Sequence, residues 1–112
     1  MAKLEQQIYG NFDDILDRID RAVLDSGVSA DFEDGSDWSS GGVRCAVRVY
    51  ERYSAIGGNR VSMNVTLVGE GNHLFLTAIT SGGSQAVLFK INTLGEGAFL
   101  DVVEELLDRW NG

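Results

Sequence analysis

The stretch Val43-Arg44-Cys45-Ala46-Val47-Arg48-Val49-Tyr50-Glu51-Arg52-Tyr53-Ser54 decides the fold. Its character repeats every two residues, the period of a strand and not of a helix. Val43, Cys45, Val47, Val49 and Tyr53 form one set; Arg44, Ala46, Arg48, Tyr50 and Arg52 form the other. The first set is aliphatic and is expected to face a core. The second, striped with arginine, is expected to face outward.

Arg60 to Val68 repeats the pattern, with Val61, Met63, Val65 and Leu67 opposed to Ser62, Asn64 and Thr66. His73 to Thr80 is apolar on both faces, and Gln85 to Ile91 alternates again with Val87, Phe89 and Ile91 inward. Gly57-Gly58-Asn59, Gly69-Glu70-Gly71-Asn72 and Ser81-Gly82-Gly83-Ser84 punctuate this block, and the chain contains no proline. Such short connections join neighbouring strands in a meander, hence an antiparallel sheet. Cross-strand partners share a face. If the odd-numbered apolar sets of the first two strands are both inward, the loop near Gly58 must have odd length.

Ahead of the block, Lys3 to Tyr9 reads as a short strand closed by Gly10. Asn11 is an N-cap, and Asp13, Asp14 and Asp17 complement the positive end of a helix dipole. Phe12, Ile15, Leu16, Ile19, Ala22 and Val23 recur at helical spacing, so a helix is predicted over Phe12 to Ser26, with Gly27 after its end. Val28 to Glu33 reads as a short strand. Asp34 to Gly42 reads as a turn-rich loop, with an extra strand over Asp34 to Ser40 left open. Thr93 and Glu96 form a capping-box pattern ahead of a last helix whose apolar face is Phe99, Val102, Val103, Leu106 and Trp110.

The expected fold class is α+β, in one domain spanning residues 1–112. Its element order is β-α-β-β-β-β-α, with a curved antiparallel meander sheet carrying both helices on one face. That order resembles the TBP-like and helix-grip architectures, a topological likeness that carries no function.

At 112 residues and a formal net charge of −8, the chain is acidic. It lacks the basic footprint of a nucleic-acid binder and would be repelled by anionic lipid. No apolar run reaches the roughly 20 residues of a membrane helix, and residues 1–5 lack a signal peptide's apolar stretch. The single cysteine, Cys45, forms no internal disulfide and fits a reducing cytoplasm. No P-loop, nucleophile elbow, HExxH or dinucleotide fingerprint is present, and one His with one Cys excludes an all-His/Cys zinc site within the chain. Asp31, Glu33, Asp34 and Asp37 lack EF-hand spacing. No catalytic residue, metal or cofactor is therefore expected.

The candidate binding residues are Arg44, Arg48, Tyr50, Arg52 and Arg60, expected together on the outer sheet face. Arginines four apart on a strand lie roughly 13 Å apart, which suits an acidic protein segment or a second copy better than one small anion. The competing reading is a solvated face whose arginines pair with the chain's own carboxylates. Three functions follow. The first is a binding or regulatory module that uses this face for a protein partner or a homodimer. The second is a small-ligand carrier with a cavity lined by Val47, Val65, Phe89, Phe99 and Trp110, between the sheet and the last helix. The third is an enzyme using carboxylates or a Cys45–His73 pair.

The Val43–Ser54 string and Ala78-Ile79-Thr80-Ser81-Gly82-Gly83-Ser84-Gln85-Ala86 resemble a family of short bacterial proteins classed only as a domain of unknown function, seen mainly in Gram-positive anaerobes. The likeness runs through the Asn11-Phe12-Asp13 helix start to the C-terminal helix. It implies a bacterial, cytosolic origin and supplies no activity.

Overall fold

The computed structural model describes residues 2–25, 30–53, 60–82 and 98–111. Among the described residues, five strands and two helices follow in the order β1 (Ala2–Tyr9), α1 (Phe12–Leu24), β2 (Ala30–Ser40), β3 (Val43–Tyr53), β4 (Arg60–Glu70), β5 (His73–Gly82) and α2 (Ala98–Asn111). The class is α+β, as the patterning implied. The expected strand Gln85–Ile91, the Thr93/Glu96 capping box, Gly27 and the Gly57-Gly58-Asn59 turn lie outside the described residues.

All pairings are antiparallel, and the sheet order is β1-β5-β4-β3-β2. β2 to β5 form a meander. β1 adds beyond β5, so α1 links strands at opposite edges of the sheet. Ser40 pairs with Val43 across Gly41 (φ 56°) and Gly42 (φ 87°), and Glu70 pairs with His73 across Gly71 (φ 60°) and Asn72. These two-residue turns require left-handed backbone, which glycine adopts without a steric penalty.

Helix α1 starts where Asn11 accepts the Asp14 backbone N–H through Oδ1 at 2.9 Å. Phe12, Ile15, Ile19 and Val23 are its buried stripe. From α2, Leu100, Val103 and Leu107 enter the same core. This inward face lies partly along from the expected one: Val103 is shared, while Val102, Leu106 and Trp110 pack at its flank. The sheet contributes Ile8, Val61, Met63, Val65, Leu67, Leu74, Leu76 and Ala78. Both helices therefore cover one sheet face.

The register of β3 against β4 overturns the parity expected from the sequence. Ala46 lies opposite Leu67, Tyr50 opposite Met63 and Tyr53 opposite Arg60, so an even interval, residues 54–59, separates the paired ends. The even set of β3 therefore shares the helix-side face with the odd set of β4. Ala46 and Tyr50 are fully buried, whereas Val43, Cys45, Val47 and Val49 lie on the opposite, outer face and are only partly buried.

A second difference is in β2. The stretch expected as a loop, Asp34 to Ser40, is strand, with a shift of register between Phe32 and Asp34. This bulge places Phe32 on the helix side, opposite Tyr50, and Trp38 on the outer side, opposite Cys45.

Candidate functional site

The structure does not gather the arginine stripe on an open outer face. Arg44, Arg48 and Arg52 share the helix-side face with Tyr50, while Arg60, opposite Tyr53, is on the other side of the sheet. Tyr50 belongs to the core, because α1 covers the middle of β3. Its hydroxyl donates to Asp20 Oδ1 at 3.0 Å, and its ring meets Phe32 edge-on with centroids 6.0 Å apart. Burial pushes the Tyr50 phenol well above its ordinary range, and the hydrogen bond to Asp20 adds to the effect.

Three of the arginines bind the protein's own carboxylates. Arg44 grips Asp13 with two hydrogen bonds, at 2.9 and 3.0 Å, and its guanidinium lies 4.2 Å from the centroid of the Phe12 ring. The hydrogen bond from Arg44 holds the Asp13 carboxyl below its usual value. Arg48 reaches both oxygens of Asp37 and donates to the Val47 carbonyl at 2.9 Å. Its side chain is only 19% exposed, its stem lying along Gly35, where an added Cβ would come within 3.0 Å of Arg48 Cδ. Arg60 pairs with Glu51 at 3.2 Å. The stems cover the flank of the core and the charged heads return to the surface. Such pairs order α1 and β2 against the sheet.

Between α1 and the β2–β3 edge lies an open cleft of about 520 Å³, lined by Asp13, Leu16, Asp17, Asp20, Leu24, Phe32 and Arg48. Of the residues named for a cavity beneath the last helix, Phe89 and the Phe99 side chain lie outside the described residues, Val65 is in the core and Val47 is on the outer face, so the described ones do not line a common space. Trp110 is occupied otherwise. Its indole donates to the Tyr9 carbonyl at 3.2 Å, packs over Gly10 and carries the Arg18 guanidinium 4.9 Å from its ring centroid.

On the outer sheet face the registers define rows of side chains. One row runs Trp38, Cys45, Val68, Phe75 and Gln7 from β2 to β1. The next runs Ser36, Val47, Thr66, Thr77 and Glu5, and a third runs Asp34, Val49, Asn64, Ile79 and Lys3. Trp38 is 62% exposed, Phe75 38% and Ile79 37%. Among the described residues, charged side chains on this face sit only at the perimeter, where Lys3 pairs with Glu5 and Arg60 with Glu51. The middle of the face is uncharged, with Val47, Thr66 and Thr77 side by side and Trp38, Phe75 and Ile79 exposed around them, and a lack of charge at the centre is one mark of a protein interface. Sequence reasoning missed Trp38 because Asp34-Gly35-Ser36-Asp37-Trp38-Ser39-Ser40 has loop composition. The Gly41-Gly42 pair was the available signal, since a two-residue turn there sets Trp38 against Cys45.

The other sequence-derived candidates are not brought together. Cys45 and His73 lie on the same outer face but are separated by β4 and by two residues of register, roughly 12 Å between their Cα atoms. His73 instead stacks on Tyr9, with centroids 5.0 Å apart, and its Nε2 lies 3.2 Å from Gln7 Oε1. Among the described residues no group of three or more His, Cys, Asp or Glu side chains is placed to hold a metal ion. Nor is any described helix long and apolar enough to cross a membrane.

The family model described as a family of unknown function (DUF6054) matches residues 1–111, and the chain belongs to that family. No curated protein and no solved structure matches it.

Proposed function

We propose that this protein is a non-enzymatic binding module that acts through the outer face of its sheet, working in a bacterial cytoplasm. One observation carries the reading: Trp38, Phe75 and Ile79 stand exposed around a charge-free centre, on the face away from both helices. Three large apolar side chains exposed on one sheet face, with no charge between them, are what a partner would cover. The arginines, by contrast, are engaged with Asp13, Asp37 and Glu51, and an acidic partner would have to displace those pairs.

The test is a photo-crosslinking side chain placed at Thr66, in the middle of the outer face, and separately at Glu105 on exposed α2. Specific adducts from Thr66 and none from Glu105 support the reading. Equal, diffuse labelling from both positions overturns it.

A second reading places a small cationic molecule with an apolar body in the cleft between α1 and β2. The carboxylates of Asp13, Asp17 and Asp20 above Leu16, Leu24 and Phe32 favour it, and such a cation would share them with Arg44, Arg21 and Tyr50. Titration with alkyl amines would shift the Phe32 and Leu24 NMR signals in a saturable way. Uniform, non-saturating shifts would exclude it.

A further inference from the structure

We infer that the occupant of the outer sheet face is a second copy of this chain, packed sheet against sheet about a two-fold axis that passes close to Thr66. The inference rests on the outer-face reading above and names its partner.

Charge selects the face. Asp14, Asp17, Asp101, Glu104, Glu105 and Asp108 outnumber Arg18, Arg21 and Arg109 on the exposed surfaces of the two helices, so copies meeting through the helix side would bring a net acidic surface against its like. The free edge of β2 carries Asp31, Glu33, Asp34 and Asp37, which disfavours edge-to-edge pairing there. Two molecules of formal charge −8 repel at a distance, and contact is least opposed where neither presents charge. The rows around Val47, Thr66 and Val68 are such a place.

Area points the same way. Five strands about 4.8 Å apart, with about eight residues at roughly 3.3 Å each, make a face of roughly 600 Å² before side-chain relief is counted. Two such faces approach the lower end of stable interfaces, about 1,200 Å² in total, and exceed most lattice contacts. Sheets stack face to face about 10 Å apart, a gap that the valines, Phe75 and Trp38 fill.

Symmetry places Thr66. β4 is the middle strand of the order β1-β5-β4-β3-β2, and Thr66 sits near the middle of β4 with Val47 and Thr77 beside it. An in-plane two-fold through the centre of the face sets Thr66 near its own copy.

Sedimentation equilibrium over a wide concentration range tests the inference on wild type, Thr66→Lys and Thr66→Glu, with circular dichroism verifying that each variant is folded. Thr66 points to the solvent side, so both substitutions are compatible with the monomer. A wild-type dimer is expected. Each variant alone should associate about a hundredfold more weakly, and an equimolar mixture of the two should recover dimer. A dimer that both variants retain at wild-type strength overturns the inference and points to another surface, such as the shorter β1 edge. A wild type that stays monomeric also overturns it. In that case the Thr66 crosslinker separates the two readings: adducts with a different protein leave the outer face standing, and their absence removes it as well.

Discussion

Tyr50 of β3 donates its phenolic proton to Asp20 of α1 at 3.0 Å, tying the first helix to the middle of the sheet from inside the core. The bond needs the phenol neutral. Burial, and then Asp20, raises its folded value above the ordinary 10.0. Between those two values the unfolded chain has lost a proton that the folded chain keeps, so stability falls as pH rises. The contribution is complete below about pH 10 and is lost as pH climbs past that value toward the folded one. Urea midpoints at pH 8 and pH 11 should therefore diverge more for wild type than for Tyr50→Phe. Equal pH dependence in the two proteins would refute the coupling.

Asp13 titrates in the opposite sense. Its folded value is depressed through the hydrogen bond from Arg44, so the stability it adds is present above its ordinary 3.8 and lost as pH falls through the folded value. The group is fully exposed, and solvent screening makes the effect small. Thermal melts between pH 2.5 and 6 should show a shallower acid limb for Asp13→Asn than for wild type. A parallel limb would argue that the pair contributes only geometry.

Asn11 caps α1 through its side-chain oxygen. Asn11→Ala should cost about 1 kcal/mol, a fall in Tm of roughly 4–8 °C for a domain of this size, and Asn11→Asp should restore most of it. Calorimetry decides between this outcome and an unchanged Tm, which would mean that the cap is dispensable.

Gly69 makes room for the helix start. A Cβ there would lie 2.5 Å from Leu74 Cδ2 and 2.8 Å from Phe12 Cδ2, both of buried residues. Gly69→Ala should destabilise by about 1–3 kcal/mol through overpacking, and adding Phe12→Leu should recover part of the loss. Denaturant titration of both proteins measures this, and a neutral Gly69→Ala would mean that Phe12 has space to retreat.

How much of this was legible in the sequence depends on contrast within each strand. In β4 the alternation sets Val61, Met63, Val65 and Leu67 against Ser62, Asn64 and Thr66, and the inward set is the one the sequence suggests. Helix α1 was legible for the same reason, with a polar cap ahead of an apolar stripe. β3 was not, because both of its sets carry apolar bulk: three valines and cysteine on one side, Ala46, Tyr50 and three arginine stems on the other. Which set is buried is decided by where the helices lie, a tertiary fact that local pattern does not contain. The candidate site followed the same error. Arg44, Arg48 and Arg52 were found as residues and assigned to the wrong side, Arg60 alone lying on the outer face expected for it, while the rest of that face went unread because half of its edge looked like a loop.

The bulge between Phe32 and Asp34 has a consequence for how this edge responds to insertions and deletions. Six steps from Phe32 to Trp38 face five from Tyr50 to Cys45, and Glu33 is the surplus residue. One deletion in this interval would be absorbed, leaving Phe32 on the helix side and Trp38 on the outer side. A second deletion would find no slack and would force one of the two aromatics through to the opposite surface. The edge thus tolerates the loss of one residue and not of two.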